Sequence, residues 1–398
     1  MPALMLGGMQ DMVAAELFGA NILAHRDTLS KTSRFENLVD DSNINAMRYP
    51  GGSVTEDMFD LSDPDSALAT DRETGETSSF VPLSEFMAMA EDRGLAVTLV
   101  VPTRDQLSED MDANGDRFAD VDEEILRGFV RDTVSGTYGD ARIEAFEIGN
   151  EYWGSGRMSA TEYGRVASRI AEIINDELTG LAPEHPQAEG IDIVVQMGTN
   201  FAYSSLDGDY QGATGDDILA DLNAAYDLEL GDEVLRGNGE VNWIAVNNQI
   251  IMSYFDDPSE YGAVGAIAAH VYSKEPDMDG QRSLMLNAIE QSWGQDPRFE
   301  DVGTYVTEWS RSAASSLYER HEDFGLFQAH EMLNLVEEFS RMEVDRAHVW
   351  PLMQNSSNAL SNGRDYDELS PSGQFYSMMA DTLPNMRMLD FSLDDPRE

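Results

Sequence analysis

EEILRGFVRDTVSGTYGDARIEAFEIG, residues 123–149, joins an amphipathic helical stretch to a short apolar run, Ile143–Gly149, with no polar alternation. A strand with that pattern is buried on both faces, which is the habit of parallel sheets covered by crossover helices. The same unit recurs along the chain. Earlier runs are Leu17–Leu23 (LFGANIL), Ile44–Arg48 (INAMR) and Leu95–Val101 (LAVTLVV). Later ones are Ile191–Met197 (IDIVVQM), Val264–His270 (VGAIAAH), Gly303–Glu308 (GTYVTE) and Arg346–Leu352 (RAHVWPL). Amphipathic stretches such as PLSEFMAMAEDRG, TEYGRVASRIAEIINDEL and FGLFQAHEMLNLVEEFSRM fill the gaps, and PSGQFYSMMADTL supplies a last helix. Eight strand–helix units predict a closed (β/α)8 TIM barrel, an α/β fold, over about residues 17–383. Residues 1–398 read as a single catalytic domain with little or no accessory β-sandwich. Two long connections, Ser53–Phe80 and Asn200–Glu240, follow the second and fifth runs, at the strand ends where barrels build their sites.

Composition narrows the class. Against 25 Lys and Arg stand 75 Asp and Glu, for a formal net charge of −50. Only Lys31 and Lys274 are lysines. A surface this acidic repels phosphate backbones and anionic lipid, so neither nucleic acid nor membrane is expected as a partner. Apolar residues at 41% exclude the disorder that high charge otherwise suggests. Such an acidic surface suits high salt or calcium-rich surroundings, and an extracellular or secreted location is the expectation. The first residues, MPALMLGGMQDM, lack the basic and apolar regions of a signal peptide. With no Cys, disulfides and thiolate metal sites are excluded.

Two strand endings carry chemistry. The fourth run ends Gly149-Asn150-Glu151-Tyr152-Trp153, and the seventh ends Thr307-Glu308-Trp309-Ser310. Each glutamate closes an apolar run, where a solvated charge has no structural purpose. Cleaving a glycosidic bond with retention needs two carboxyl groups about 5–5.5 Å apart, one a protonated acid and one an ionised nucleophile. Glu151 and Glu308 are therefore the candidate pair. Arg48, at the end of the second run, is placed to keep one carboxylate ionised. An acid must hold its proton, so Glu151 is expected in the drier position.

These endings resemble the clan A retaining glycoside hydrolases, whose acid/base and nucleophile close strands four and seven. Arg48-Tyr49-Pro50-Gly51-Gly52 is similar to the RYPGG of family 51 arabinofuranosidases and to segments of families 39 (xylosidases) and 79 (glucuronidases). His270-Val271-Tyr272 resembles the clan's sixth strand, which implies that Tyr272 bonds the nucleophile. The likeness also implies that Asn150 binds a sugar 2-hydroxyl and that Trp350 forms a floor under the sugar. Trp153, Trp309, His270, His25 and Tyr203 join them as candidate substrate contacts. Families 51 and 39 carry a β-sandwich for which this sequence has little room, and Tyr152-Trp153 departs from the arabinofuranosidase pattern.

Other readings compete with this one. Arg48 could serve a barrel-bottom ion pair, His270 could be a satisfied core histidine, and the tryptophans could be core. Asp110, Asp112, Asn114 and Asp116, with Gly115, are spaced like the start of a calcium loop, but Val121 stands where the loop's Glu belongs. No other cofactor is expected. The whole chain could be a non-catalytic carbohydrate-binding barrel, or a metal-dependent hydrolase using His25 and His270, although no HxH pair is present. The favoured expectation is a retaining hydrolase of a plant or algal poly- or oligosaccharide.

Overall fold

In the computed structural model, residues 4–30, 33–275, 279–313, 317, 322–361 and 368–393 are described. Eight parallel strands close into a barrel in chain order: β1 (Gly19–Asn21), β2 (Ala46–Tyr49), β3 (Ala96–Val101), β4 (Arg142–Ile148), β5 (Asp192–Gln196), β6 (Ala266–Ser273), β7 (Gly303–Arg311) and β8 (Arg346–Val349). All eight fall within or across the expected runs. Pairing of β8 with β1 through His348/Gly19 and Val349/Ala20 completes the closure, so the barrel leaves no edge strand.

A helix of nine residues or more follows each strand: α1 (Arg34–Ser42), α2 (Leu83–Arg93), α3 (Glu123–Val134), α4 (Ala160–Leu181), α5 (Trp243–Met252), α6 (Leu284–Ser292), α7 (Leu326–Arg341) and, after the last strand, α8 (Pro371–Thr382). Their starts are chemically marked. Ser159 and Glu162 form a reciprocal capping box at α4, and Asp122 accepts from Ile125 N at α3. Each such cap satisfies an otherwise orphaned backbone donor and is worth about 1 kcal/mol.

Two apolar cores result. The larger lies between strands and helices and includes Leu99, Phe146, Ile148, Ile170, Ile174 and Phe339. A small one, Ala145, Val194, Ala266, Ala268 and Tyr305, fills part of the barrel interior. Buried polar side chains fill more of it, with Glu144 bonded to Thr98 and Arg346. A two-stranded antiparallel ribbon, Leu4–Met12 with Arg387–Leu393, lies outside the barrel. Among the described residues no helix is long and apolar enough to cross a membrane.

The two long connections are structured. Residues 53–80 hold a short helix, Val54–Met58, and a hairpin, Leu68–Thr70 with Thr77–Ser79. Residues 200–240 contain the helix Gly215–Tyr226. The calcium-like segment instead makes a hairpin, Leu107–Met111 with Arg117–Ala119. Its acidic groups are turned to protein partners. Asp112 accepts from the Asn114 and Asp116 amides and from Arg165, Asp116 accepts from Ser159, and Asn114 donates to Ala225 O.

Candidate active site

Towards the C-terminal mouth the interior becomes more polar, and Arg48 organises it. This side chain is fully buried, and each of its five N–H donors finds an acceptor. Nε and Nη2 donate to Glu147 (2.5 and 3.1 Å), Nη2 to Asn150 Oδ1 (2.9 Å), and Nη1 to Asn21 Oδ1 and Glu308 Oε1 (both 3.1 Å). One guanidinium thus ties together β1, β2, β4 and β7. Its pKa is raised: burial alone would lower it, but the charges of Glu147 and Glu308 prevail. Glu147, which the sequence reading left unassigned, also accepts from Thr307 Oγ1 (2.9 Å) and Gln196 Nε2 (3.2 Å). Burial pushes its carboxyl up, yet Arg48 carries it below the usual value, so it stays ionised. Breaking such a pair strands two buried carboxylates. Arg48→Met should therefore cost about 3–5 kcal/mol in urea unfolding at pH 7. Part of that loss should return as pH falls and the orphaned carboxyls take up protons.

Glu308 projects from β7 where the pairing with β6 slips: Ala269 faces Val306, but His270 faces Glu308. The bulge inserts Thr307 between them, so Thr307 reaches Glu147 while Glu308 still reaches Arg48. Tyr272 donates to the other oxygen of Glu308 at 2.8 Å, as the family resemblance implies. Glu151 follows Gly149 and Asn150 in a segment held at positive φ, +77° at Gly149 and +44° at Glu151 itself. Buried Glu56 pins that segment. Its carboxylate accepts from Asn150 N (2.9 Å), Thr103 N (2.9 Å), Arg104 N (2.8 Å) and Thr103 Oγ1 (3.1 Å), joining the loops after β2, β3 and β4. No motif marked Glu56 in advance.

His270 Nδ1 lies 3.2 Å from Glu151 Oε1 and 3.7 Å from Glu308 Oε2. One ligand atom from each of Glu151, His270 and Glu308 lies within 4.8 Å of the others, so the two carboxylates approach at least that closely. The Glu308 side chain is 6% exposed and that of Glu151 36%, the reverse of the expectation that Glu151 is the drier. The acid candidate opens to solvent because it lies beyond the end of β4, at the rim, whereas Glu308 sits within β7 beside the bulge. Charge follows the same geometry. Burial pushes Glu151 up, but the bond and charge of His270 and the charge of Arg48 bring it below the ordinary value. Burial raises Glu308, and the neighbouring Glu151 adds to this against His270 and Arg48, leaving it high. His270 is lowered by burial yet raised overall by Glu308 and Glu151.

The remaining candidates divide. Asn150 turns Oδ1 to Arg48, and the shortest contact of its Nδ2 is 3.4 Å, to Ser155. Trp350 is half-buried at the mouth, with the outer edge of its ring towards Gly52, where an added Cβ would come within 2.5 Å of it. At Gly51 a Cβ would fall 1.7 Å from Ile22 O, so only glycine fits. Trp153 packs edge-on to His270, ring centroids 6.0 Å apart. Tyr203 donates its amide to Trp153 O at 3.0 Å. Trp309 is not at the site. It is fully buried against Phe339 and Tyr376 in the helix layer, because its strand neighbour Glu308 occupies the inward position.

His25, on the loop after β1, forms no hydrogen bond to the pair. Burial and Arg26 lower its pKa, and Asp71 opposes them. Nearby Asp27 is buried and accepts from Leu23 N, while its Oδ1 has no partner. Burial pushes Asp27 up to about 7, against the pull of the Leu23 amide and Arg26. The folded state therefore binds more protons than the unfolded state between the ordinary value of 3.8 and about 7, and stability falls as pH rises through that window. Asp27→Asn should be near neutral at pH 4 and stabilising by about 1–3 kcal/mol at pH 8, read from urea midpoints at both pH values.

Clefts of about 550 and 570 Å3 open at the opposite end of the barrel, lined by Asp301, Glu343 and Asp345. They hold no carboxylate pair presented from strand C-termini.

No protein-family model matches the sequence, and no curated protein matches it. Among solved structures, a family 51 arabinofuranosidase from Xanthomonas axonopodis pv. citri superposes with a TM-score of 0.60 at 14% identity, over 100% of this chain and 79% of that one. A family 51 alpha-L-arabinofuranosidase from Bifidobacterium longum gives 0.61 at 13%, over 100% and 79%. The thermostable one from Thermotoga petrophila RKU-1 gives 0.60 at 12%, over 99% and 76%. At these identities the likeness is one of fold.

Proposed function

We propose that this chain is a retaining glycoside hydrolase of a poly- or oligosaccharide, with Glu308 as nucleophile and Glu151 as acid/base. The observation that carries the reading is the approach of two strand-end carboxylates to within 4.8 Å. So close an approach of one oxygen from each carboxylate favours the short separation of a double displacement over the wider one of an inverting enzyme.

In the first step a Glu308 oxygen forms a bond to the anomeric carbon as the bond from that carbon to the leaving oxygen breaks. Glu151 gives that oxygen its proton. In the second step Glu151 takes a proton from water, whose oxygen attacks the anomeric carbon and frees Glu308. Arg48 and Tyr272 hold one Glu308 oxygen each, which stabilises the ionised form and aims it. Asn150 Nδ2 is the donor for the 2-hydroxyl, and Trp350 is the floor. His270 Nδ1, 3.2 Å from Glu151 Oε1, is placed to hold the acid's proton. A sugar covering the mouth strips water from Glu151, which favours its neutral form and returns the proton across 3.2 Å.

A second reading follows from the same cluster, since Glu151, His270 and Glu308 could ligate one divalent cation. Arg48, 3.1 Å from Glu308, places a fixed positive charge against any such ion, which favours the glycosidase. The test is a screen of neutral plant and algal glycans for new reducing ends, with NMR of the first-formed anomer and a chelator control. Retained configuration without chelator sensitivity is expected. Inversion, or loss of turnover in chelator, would overturn the proposal, and binding without turnover across the panel would favour a carbohydrate-binding barrel.

A further inference from the structure

We infer that the turn Phe201–Tyr203 is a platform for a neutral sugar ring on the leaving-group side of the scissile bond, so that the substrate extends past the acid/base. The inference rests on the glycosidase reading above. Phe201 is 68% exposed and Tyr203 55%. Single exposed aromatics are ordinary. This pair is unusual because its base is rigid.

Between the rings Ala202 is held at φ +46°, a left-handed conformation that costs a non-glycine residue about 1 kcal/mol or more and persists only where the surroundings enforce it. Here they do. Ser204 is buried, with its hydroxyl 2.8 Å from Thr199 O and 3.0 Å from Phe201 O, and Asn247 donates to Ser204 O. The turn is also tied to the residues that follow Glu151. Thr199 N donates to the Tyr152 hydroxyl at 3.1 Å, and Tyr203 N donates to Trp153 O at 3.0 Å. Tyr152 in turn is stacked on Tyr163, ring centroids 4.3 Å apart. Two apolar rings are thus held in water by a scaffold fixed to the acid/base loop.

Position assigns the side. Glu308 bonds the glycone carbon, while Glu151 protonates the departing oxygen, so groups attached to the Glu151 loop flank the departing sugar. Aromatic faces are negative and accept the positive C–H edges of a pyranose. Charge selects the sugar: residues 200–240 carry ten acidic side chains and one basic, Arg236. That field repels uronates and sulfate esters and leaves neutral rings as the occupant.

The experiment compares kcat/KM for a neutral oligosaccharide with that for a glycosyl fluoride of the same glycone, whose leaving atom reaches no platform. The ratio of the two is read in the wild type, Phe201→Ala, Tyr203→Ala, the double variant and Tyr203→Phe. It should fall up to about tenfold for each ring removed and hold in Tyr203→Phe, with unfolding midpoints unchanged at these exposed positions. An unchanged ratio in the folded double variant overturns the platform while leaving the glycosidase reading intact. So does a wild-type preference for a sulfated or uronic polymer over its neutral counterpart. If the wild type cleaves neither substrate, both readings fall together.

Discussion

Glu308→Gln is expected to lower kcat/KM on the order of 10^4-fold or more, because it removes the atom that forms the covalent intermediate. Glutamine keeps the shape and can still accept from either Tyr272 or Arg48 through its carbonyl oxygen, so a collapse of the fold would not be the cause. Its amide, however, sets N–H donors opposite Arg48 or Tyr272 and leaves Arg48 with one counter-charge, Glu147, instead of two. A change in stability should therefore be small beside the loss of turnover, and circular dichroism with urea unfolding separates the two. Replacing Glu308 by Gly and adding azide should restore turnover and yield a glycosyl azide of inverted configuration, since azide then occupies the nucleophile's side of the ring. Near wild-type hydrolysis by folded Glu308→Gln would remove the nucleophile from the mechanism.

The fold was legible because parallel barrel strands bury both faces and so stand out as short, largely apolar runs, from Leu17–Leu23 to Arg346–Leu352. The carboxylate pair was legible for the complementary reason, that a charge closing such a run is out of place. The polar interior was not. Glu147, Gln196 and Asn21 lie within or beside apolar runs, and only closure of the cylinder brings them round Arg48. Trp309 was misplaced although strand alternation already opposed it to Glu308. The bulge that sends Thr307 and Glu308 to neighbouring partners leaves no mark in the sequence. The hairpin at Asp112 has the spacing of an ion loop, but its partner Arg165 lies 53 positions away, on α4. Local spacing cannot report such a partner. Exposure of Glu151 depends on how far a strand end rises above its neighbours, which is a property of the rim and not of the segment.

Glu151→Ala should behave differently from the nucleophile variant, and the difference identifies its role. Removing a general acid costs about 10^2–10^4-fold, but only where the leaving oxygen needs a proton. Oligosaccharides, with poor leaving groups, should lose the full factor, while a glycosyl fluoride should form its covalent intermediate nearly as fast as before. Deglycosylation then becomes slow, because no base activates water, and the intermediate should accumulate as a burst visible by mass spectrometry. Azide, which needs no base, should fill the space left beside His270 and release a glycosyl azide of retained configuration. The stereochemistry therefore separates the two glutamates, with inversion on rescue at 308 and retention on rescue at 151. The pH profile supplies an independent check. His270 is held above the ordinary imidazole value by the two carboxylates, so in the wild type the alkaline limb of activity lies above 6.5, where the shared proton is lost. Deleting Glu151 removes one of those two charges, and the titration of His270, followed by NMR, should move down. A His270 resonance that titrates identically in wild type and Glu151→Ala would break the link between the imidazole and the acid, and with it the proton path assigned to the first step.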